Sequence, residues 1–238
     1  MRQFLTAVIH GESKVGKTYL SGTVPKPALF LDAEAGGMRF LARHYKIVEW
    51  TPGEPWPEGD FEIVRCQVKS VDTLLAVYER LRTGHPFKSI VMDSYTEMQS
   101  RFKREISADG LLDQQGWGKI LSVMEDMAMK FRDLTEHPQH PIDCFVVIAG
   151  TRMRDGKYRP FMQGQIANLL PYKVDLCGYL FAAKDEHNNT RRGLRIAVGD
   201  PDLYDCGNRL DGMFPDVVWD PNMSTMLEHI NNEMNGNN

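Results

Sequence analysis

The chain has 238 residues, of which 25% are charged and 42% are hydrophobic, and its formal net charge is -4. This length and composition are typical of one soluble globular domain or two small ones, with a core that needs no disulfide or metal. The negative net charge argues against a protein that coats nucleic acid by bulk electrostatics, so any such contact requires a local basic patch.

Apolar, strand-like runs alternate along the chain with segments of helical periodicity. Strands are predicted at residues 4–9, 28–32, 61–68, 89–92, 142–149, 175–183, 194–198 and 217–219. Helices are predicted from residue 17 to 21, over 70–83 with Ser70 as the N-cap, and over 114–136. This alternation predicts an α/β fold in which a mostly parallel sheet carries helices on both faces. We expect a single domain over residues 1–238, with a tail that frays from about residue 230.

Residues 11–18 read G-E-S-K-V-G-K-T, which is the pattern of a phosphate-binding loop placed between a strand and a helix. A glycine-rich turn lets successive backbone N–H groups point at phosphate oxygens. Lys17 would reach the β- and γ-phosphates, and the Thr18 hydroxyl would ligate Mg²⁺. We therefore predict bound ATP and Mg²⁺, with the phosphates held by Gly11, Glu12, Ser13, Lys14, Val15, Gly16, Lys17 and Thr18.

Two further strands end in carboxylates. Asp93 follows the apolar residues 89–92, and this placement suits a carboxylate that holds the Mg²⁺ shell. In ATPases of the AAA-plus type, a glutamate that orients the attacking water normally follows this aspartate. The next residue here is Ser94, so the group that activates water must lie elsewhere. The strand at residues 28–32 runs into D-A-E and offers Glu34, whose alternative role is that of a solvated loop carboxylate.

The residues around these carboxylates carry a resemblance to bacterial RecA. Residues 30–35 resemble the RecA segment that bears the catalytic glutamate, and Glu34 matches that glutamate. Residues 90–94, I-V-M-D-S, resemble the V-V-D-S run of the same family. Residues 206–209, C-G-N-R, lie where RecA has a K-N-K run that reaches the nucleotide of a neighbouring subunit. The resemblance extends loosely from residue 4 to about residue 219. A RecA core of this compact size is similar to the phage-encoded RecA-like ATPases associated with single-strand annealing.

The resemblance implies a three-layer P-loop NTPase with a RecA-like core that hydrolyses ATP. Glu34, Lys17 and Arg209 would be its catalytic residues, with Arg209 acting across a subunit interface. The implied partners are single-stranded DNA, further copies of the chain in a ring or filament, and a single-strand-binding protein. The implied role is phage recombination or strand annealing in the host cytoplasm.

The sequence departs from the RecA pattern at two positions. The polar switch residue of RecA falls near Ala149 and Gly150, and Thr151 or Arg152 could replace it. Gly207 stands in place of the first lysine of the K-N-K run, which leaves Arg209 as the matching cation. An ordinary ion pair is the alternative role of Arg209.

Residues 152–165 lie where RecA-like cores carry a mobile DNA-binding loop. Four basic residues are interleaved there with two aromatic ones, so that cations could follow phosphates while rings stack on bases. The candidate contact residues are Arg152, Arg154, Lys157, Tyr158, Arg159 and Phe161. A solvated β-hairpin turn around residues 155–156 is the alternative interpretation. Residues 109–118, which lack basic side chains, are a second candidate contact loop.

Three other functions are compatible with the phosphate loop. A motor or loader ATPase would share the nucleotide chemistry, a small-molecule kinase could use residues 152–159 as a lid, and a nucleotide-gated binding module would not hydrolyse ATP. The four cysteines, at positions 66, 144, 177 and 206, lack metal-ligand spacing and are interpreted as buried thiols of a cytoplasmic protein. No run approaches ~18 apolar residues, and the apolar N-terminal strand leaves no room for a signal peptide, so no membrane partner is expected.

Overall fold

The computed structural model describes residues 3–34, 36–106, 113–197, 203–210 and 212–236. The strands of this part of the chain are β1 (Leu5–Gly11), β2 (Ala28–Asp32), β3 (Ile47–Glu49), β4 (Ile63–Gln67), β5 (Ser89–Asp93), β6 (Cys144–Arg154), β7 (Lys157–Phe161), β8 (Leu176–Lys184), β9 (Thr190–Arg195), β10 (Gly207–Asn208) and β11 (Val217–Trp219). The helices are α1 (Lys17–Ser21), α2 (Met38–Leu41), α3 (Val71–Arg82), α4 (Tyr95–Ile106), α5 (Gln114–Asp133), α6 (Ile166–Lys173) and α7 (Met223–Gly236).

One sheet organises the molecule, in the order β11-β9-β8-β1-β6-β5-β2-β4-β3. All neighbours from β8 to β3 are parallel, whereas β9 and β11 extend the sheet with antiparallel pairs. The central strands are buried on both faces, which explains why β1 and β5 are mostly apolar rather than alternating between apolar and polar residues. The predicted mostly parallel α/β sheet is confirmed.

Helices cover both faces of this sheet and give three layers. One apolar core contains side chains of α3, α4, α5 and α6, and the other contains side chains of α1, α2 and α7. The predicted helix α3 is confirmed together with its cap, because the Ser70 side chain accepts a hydrogen bond from the Thr73 N–H at 3.1 Å. The predicted helix at 114–136 is α5 followed by one 3-10 turn at Leu134–Glu136.

Several predicted boundaries differ from the structure. The strand predicted to end at residue 149 continues to Arg154, because its last five residues pair with β7 in an antiparallel hairpin. Asp155 and Gly156 form the turn with φ of 53° and 79°, a conformation that suits asparagine, aspartate and glycine. Residues 152–161 thus form a β-hairpin, which is the alternative interpretation that the sequence offers at this position.

Other differences lie at the edges of the sheet and at the chain end. Strand β9 begins at Thr190, because it forms a hairpin with β8 rather than starting at residue 194. The short edge strand β3 was not predicted. Helix α7 continues to Gly236, beyond the residue at which fraying was expected, since Met223, Met226, Leu227 and Ile230 anchor it in the core.

The cysteines are free thiols, and three of them are buried as predicted, while Cys206 is partly exposed. Within the part of the chain that the structure describes, no helix is both long and apolar enough to cross a bilayer. Four residues of the second candidate contact loop, 109–112, lie outside the described residues, and its remainder forms the cap and first turn of α5.

Candidate nucleotide-binding site

The phosphate loop connects the buried strand β1 to helix α1, as the sequence predicts. Each of its two glycines is required for a different structural reason. A Cβ on Gly11 would lie 2.3 Å from the carbonyl oxygen of Leu180, so only glycine lets β1 approach β8 this closely. Gly16 has φ of 107°, in the left-handed region, and begins α1 without a side-chain cap. The backbone N–H groups of the first turn are thus left for a ligand.

Lys17 lies inside the loop. Its Nζ donates hydrogen bonds to the carbonyl oxygens of Gly11 and Glu12, each at 2.8 Å. Burial lowers the pKa of Lys17, and the negative charges of Glu34, Asp93 and Glu12 oppose that shift. The ammonium group is therefore placed between the loop and two of the carboxylates that the sequence singled out.

Asp93 ends β5 and is only 3% exposed. Burial raises its pKa to about 7, while a hydrogen bond from the Thr18 side chain and the charge of Lys17 act in the opposite direction. The two predicted Mg²⁺ ligands, Thr18 and Asp93, are thus neighbours. A buried carboxylate beside a hydroxyl, with further negative charge from Glu34 and Asp32, fits a hard divalent cation that takes oxygen ligands.

Mg²⁺ commonly keeps several waters and takes one or two carboxylates together with substrate phosphates. Among residues 3–34, 36–106, 113–197, 203–210 and 212–236, no group of three His, Cys, Asp or Glu side chains forms a metal cage. The one-carboxylate arrangement of Thr18 and Asp93 agrees with a Mg²⁺ that is completed by phosphate oxygens.

Glu34 lies at the same edge of the sheet, just after β2. Its carboxylate accepts a hydrogen bond from the Ser94 hydroxyl at 2.8 Å, and its backbone N–H donates to Asp32 Oδ1 at 2.9 Å. The side chain is exposed, so water has access to it. Since β2 and β5 are adjacent and parallel, Glu34 and Asp93 emerge side by side. The Ser94–Glu34 contact gives a structural role to the residue that follows Asp93.

The buried carboxylate of Asp32 is held by an arginine that the sequence did not indicate. Arg65 contacts Asp32 Oδ2 through Nε and Nη2, each at 2.6 Å, and its Nη1 contacts Glu49 Oε1 at 2.9 Å. Burial raises the pKa of Asp32, whereas the Arg65 guanidinium lowers it. Because Asp32 also accepts the Glu34 N–H, this pair fixes the turn that presents Glu34. Arg65 belongs to a neighbouring strand 33 positions away, and no motif marks it.

His10 connects the loop to the β6–β7 hairpin. The ring is fully buried, with Nδ1 at 3.1 Å from Thr151 Oγ1 and Nε2 at 3.1 Å from the Asp205 carbonyl oxygen. Thr151 in turn donates to the carbonyl of Arg159 at 3.1 Å. Of the predicted switch positions, Ala149 pairs with His10 in the sheet and Thr151 carries this polar contact. A continuous chain of contacts thus joins the residue before Gly11 to the hairpin.

The hairpin presents its cations on one face. Strand pairing places Arg152 opposite Arg159 and Arg154 opposite Lys157, and residues two apart share a face. Like charges directly opposite each other destabilise an isolated hairpin. The Nε atoms of Arg152 and Arg159 are buried without a hydrogen-bond partner among the described residues. Burial and the neighbouring charges of Arg154 and Arg159 lower the pKa of Arg152.

The two predicted aromatic contacts lie on opposite faces of this hairpin. Phe161 shares the cationic face, is 37% exposed, and has the Arg152 guanidinium 5.5 Å from its ring centre. Tyr158 lies on the other face, where it packs against Tyr179 and Tyr204 at centroid distances of 5.6 and 5.5 Å. The structure therefore separates Tyr158 from the other five candidate contact residues.

Arg209 lies far from the phosphate loop of its own chain. Its backbone N–H donates to the Asp175 carbonyl at 2.8 Å, and its guanidinium donates to the Tyr172 carbonyl. Residue 175 precedes the start of β8, whereas Gly11 pairs with Leu180 further along that strand. Arg209 lines a groove of about 540 Å³ that includes Lys157 and Arg159.

One cation near the loop was missed at the sequence level. Arg192, on β9, donates from Nε to the Val15 carbonyl at 3.0 Å, and its guanidinium lies 5.7 Å from the ring centre of Tyr19. The residue belongs to no motif, and only the β8–β9 hairpin brings it beside the loop. Its contacts are the least predictable feature of the site.

A phosphate loop beside a buried aspartate and a neighbouring glutamate, on the edge of a mostly parallel sheet, defines a domain of the P-loop ATPase type. A family model described as an AAA domain matches residues 3–210. The chain therefore belongs to this AAA domain family. No curated protein sequence matches the chain. Among solved structures, it is similar to the flagellar accessory protein FlaH from Methanocaldococcus jannaschii, with 9% identity, 92% of this chain and 85% of that chain covered, and a TM-score of 0.48.

Proposed function

We propose that the chain is a Mg²⁺-dependent ATPase that acts on single-stranded DNA. The observation that carries the ATPase part is the convergence of Lys17, Thr18, Asp93 and Glu34 at one edge of the sheet. These four side chains come from the first turn of α1, from the residues just after β2 and from the end of β5. Their mutual electrostatic influence on the pKa values of Lys17 and Asp93 supports a single site.

Each residue of the site has a chemical task. The loop N–H groups and Lys17 hold the β- and γ-phosphates, and Lys17 neutralises charge as it develops. Asp93 and Thr18 would hold Mg²⁺, which would supply further neutralisation of phosphate charge. Glu34 aligns and deprotonates the water that attacks the γ-phosphorus in line, while the bond to the β–γ bridging oxygen breaks and ADP leaves. The Ser94 hydroxyl holds the carboxylate in place.

The DNA part of the proposal is supported by the one-sided hairpin. Four cations and Phe161 share a face, and the opposed Arg152–Arg159 pair favours an anion between them. Regularly spaced cations beside an exposed aromatic ring suit a single strand bound without sequence preference. The groove next to this face adds Arg209 to Lys157 and Arg159, and its lining also includes Asp175 and Asp205.

The resemblance to phage RecA-like ATPases supplies the cellular role that we propose. The protein would act in strand annealing or recombination, as a homo-oligomeric ring or filament, together with a single-strand-binding protein. The remote position of Arg209 agrees with oligomeric action, because that residue can serve a nucleotide only across an interface.

Binding of a fluorescent oligo-dT, measured by anisotropy over a salt series, tests the DNA proposal. The double variant Arg154→Glu/Lys157→Glu reverses two charges on the hairpin face, and Lys69→Glu/Lys119→Glu makes the same charge change at exposed sites elsewhere. We expect the hairpin variant to bind at least tenfold more weakly with a flatter salt dependence, while the control stays close to wild type. Equal losses in both variants, or none in the hairpin variant, would refute the hairpin as the contact.

A further inference from the structure

Arg192 lies directly against the phosphate loop, although no residue of the loop motif calls for an arginine there. Its Nε donates to the Val15 carbonyl at 3.0 Å, and a Cβ on Gly16 would lie 2.5 Å from that same Nε. Glycine at position 16 thus leaves room for the arginine as well as for the left-handed turn. The contact is held from β9, which pairs with β8 through Arg192 and Ala182.

Among the described residues, no carboxylate forms an ion pair with the guanidinium of Arg192. Asp220 forms its ion pair with Arg191 at 2.7 Å and takes only the backbone N–H of Arg192, at 3.3 Å. The planar group instead lies over the ring of Tyr19, with 5.7 Å between its carbon and the ring centre. Since Nε is used by Val15, the two terminal nitrogens remain as donors beside the loop.

The sheet order tells which end of a nucleotide these donors meet. Strands β9 and β8 lie on one side of β1, while β5 and β2, which bear Asp93 and Glu34, lie on the other side beyond β6. Four strand spacings separate β9 from β5, which is about 19 Å. A nucleotide over the loop with its γ-phosphate towards Glu34 therefore has its α-phosphate and nucleoside towards Arg192.

We infer that Arg192 is a nucleotide-binding residue that contacts the α-phosphate end of a nucleoside di- or triphosphate within the same chain. The inference rests on the proposed nucleotide site and adds a cation that no motif assigns. A guanidinium donates two parallel hydrogen bonds to phosphate oxygens, which suits recognition of that group. Because ATP and ADP share the α-phosphate, the contact serves both nucleotides.

Titration calorimetry with ATP and ADP on Arg192→Gln tests this inference. Glutamine places an N–H donor at the position of the arginine Nε, so the bond to Val15 can persist while the two terminal donors and the charge are lost. We expect about tenfold weaker binding of both nucleotides, which corresponds to the loss of a charge-assisted hydrogen bond. Arg191→Gln, which removes the surface ion pair with Asp220 and the contact with the Trp219 ring, should bind both as the wild type does.

The outcomes separate the inference from the proposed function. Wild-type affinity in Arg192→Gln means that the arginine only supports the loop, and weakening of ATP alone means that it contacts the γ-phosphate; either result overturns the inference. A wild-type protein that binds neither nucleotide overturns the proposed function as well. If Arg192→Gln unfolds, Arg192→Lys provides the second variant, in which partial weakening of both nucleotides is expected and unchanged binding is the contrary result.

Discussion

Glu34 is held in a defined position although its side chain is exposed. Ser94 donates to its carboxylate, and Asp32, itself fixed by Arg65, accepts its backbone N–H. These contacts orient one oxygen of the carboxylate and leave the other for water. Asp32 thus fixes the turn, and Glu34 is the residue to which we assign the chemistry.

We predict that Glu34→Gln retains ATP binding and lowers kcat at least 100-fold, because glutamine keeps the shape but cannot accept a proton. Steady-state hydrolysis and nucleotide titration check both parts. Glu58→Gln, an exposed glutamate in a remote loop, serves as the matched control. Hydrolysis at the wild-type rate in Glu34→Gln would remove the residue from the catalytic assignment.

His10 predicts a dependence of stability on pH. Burial lowers its pKa from 6.5 to about 4, and the positive charge of Lys17 contributes to the same shift, against the hydrogen bond with the Asp205 carbonyl. The unfolded chain therefore binds a proton between pH 6.5 and 4 that the folded chain does not. The free energy of unfolding must fall as pH is lowered through this window, by up to about 3 kcal/mol from this residue.

Urea denaturation of wild type and His10→Gln at several pH values isolates this contribution. The difference in unfolding free energy between the two proteins should shrink as pH falls from 6.5 to 4, since the variant lacks the titrating ring. The exposed His187→Gln provides a control for a general effect of histidine loss. Parallel curves for wild type and His10→Gln would show that the buried ring does not carry the effect.

At the scale of elements, the strand–loop–helix unit and the strand ends could be predicted from sequence because local signals fix them. The loop motif, the unbroken apolar strand β5 and the Ser70 cap each lie within a few residues of the structure that they specify. These features need no knowledge of distant contacts.

Features that depend on pairing over long sequence distances could not be predicted in the same way. The sequence offers the hairpin β6–β7 only as one of two interpretations, because cations and aromatics in alternation suit a loop as well as a strand. The register of β6 against β7 decides on which face of the hairpin Phe161 and Tyr158 lie, and this register cannot be read from the sequence. Arg65 and Arg192 reach the site from strands that carry no motif, so their roles emerge only from the sheet order.

The contacts of His10 suggest how two elements communicate. The ring lies between the phosphate loop and Thr151, and Thr151 bonds the strand that bears Arg159. If the loop shifts around a nucleotide, two hydrogen bonds, from His10 to Thr151 and from Thr151 to Arg159, would transmit the shift to the base of the hairpin. This arrangement gives a physical route by which DNA on the hairpin could influence hydrolysis.

At the scale of the whole molecule, Arg209 makes a prediction about assembly. Since it lies beyond reach of its own loop, mixing Lys17→Ala with Arg209→Ala should restore hydrolysis at interfaces that join an intact loop to an intact arginine. We expect each variant alone to be at least 100-fold slower than wild type and the mixture to recover a fraction of the activity. Full activity of Arg209→Ala, or no recovery on mixing, would argue for an arginine that only binds the Tyr172 carbonyl.

The measurement that tests the central claim most directly is the rate of ATP hydrolysis by the wild-type protein with and without single-stranded DNA. Lys17→Ala is the blank, because it removes the ammonium group that lies inside the phosphate loop. We predict Mg²⁺-dependent hydrolysis that single-stranded DNA stimulates and that the hairpin variant Arg154→Glu/Lys157→Glu no longer stimulates. Hydrolysis indifferent to DNA would contradict the proposed coupling, and a wild-type rate no higher than that of Lys17→Ala would contradict the ATPase itself.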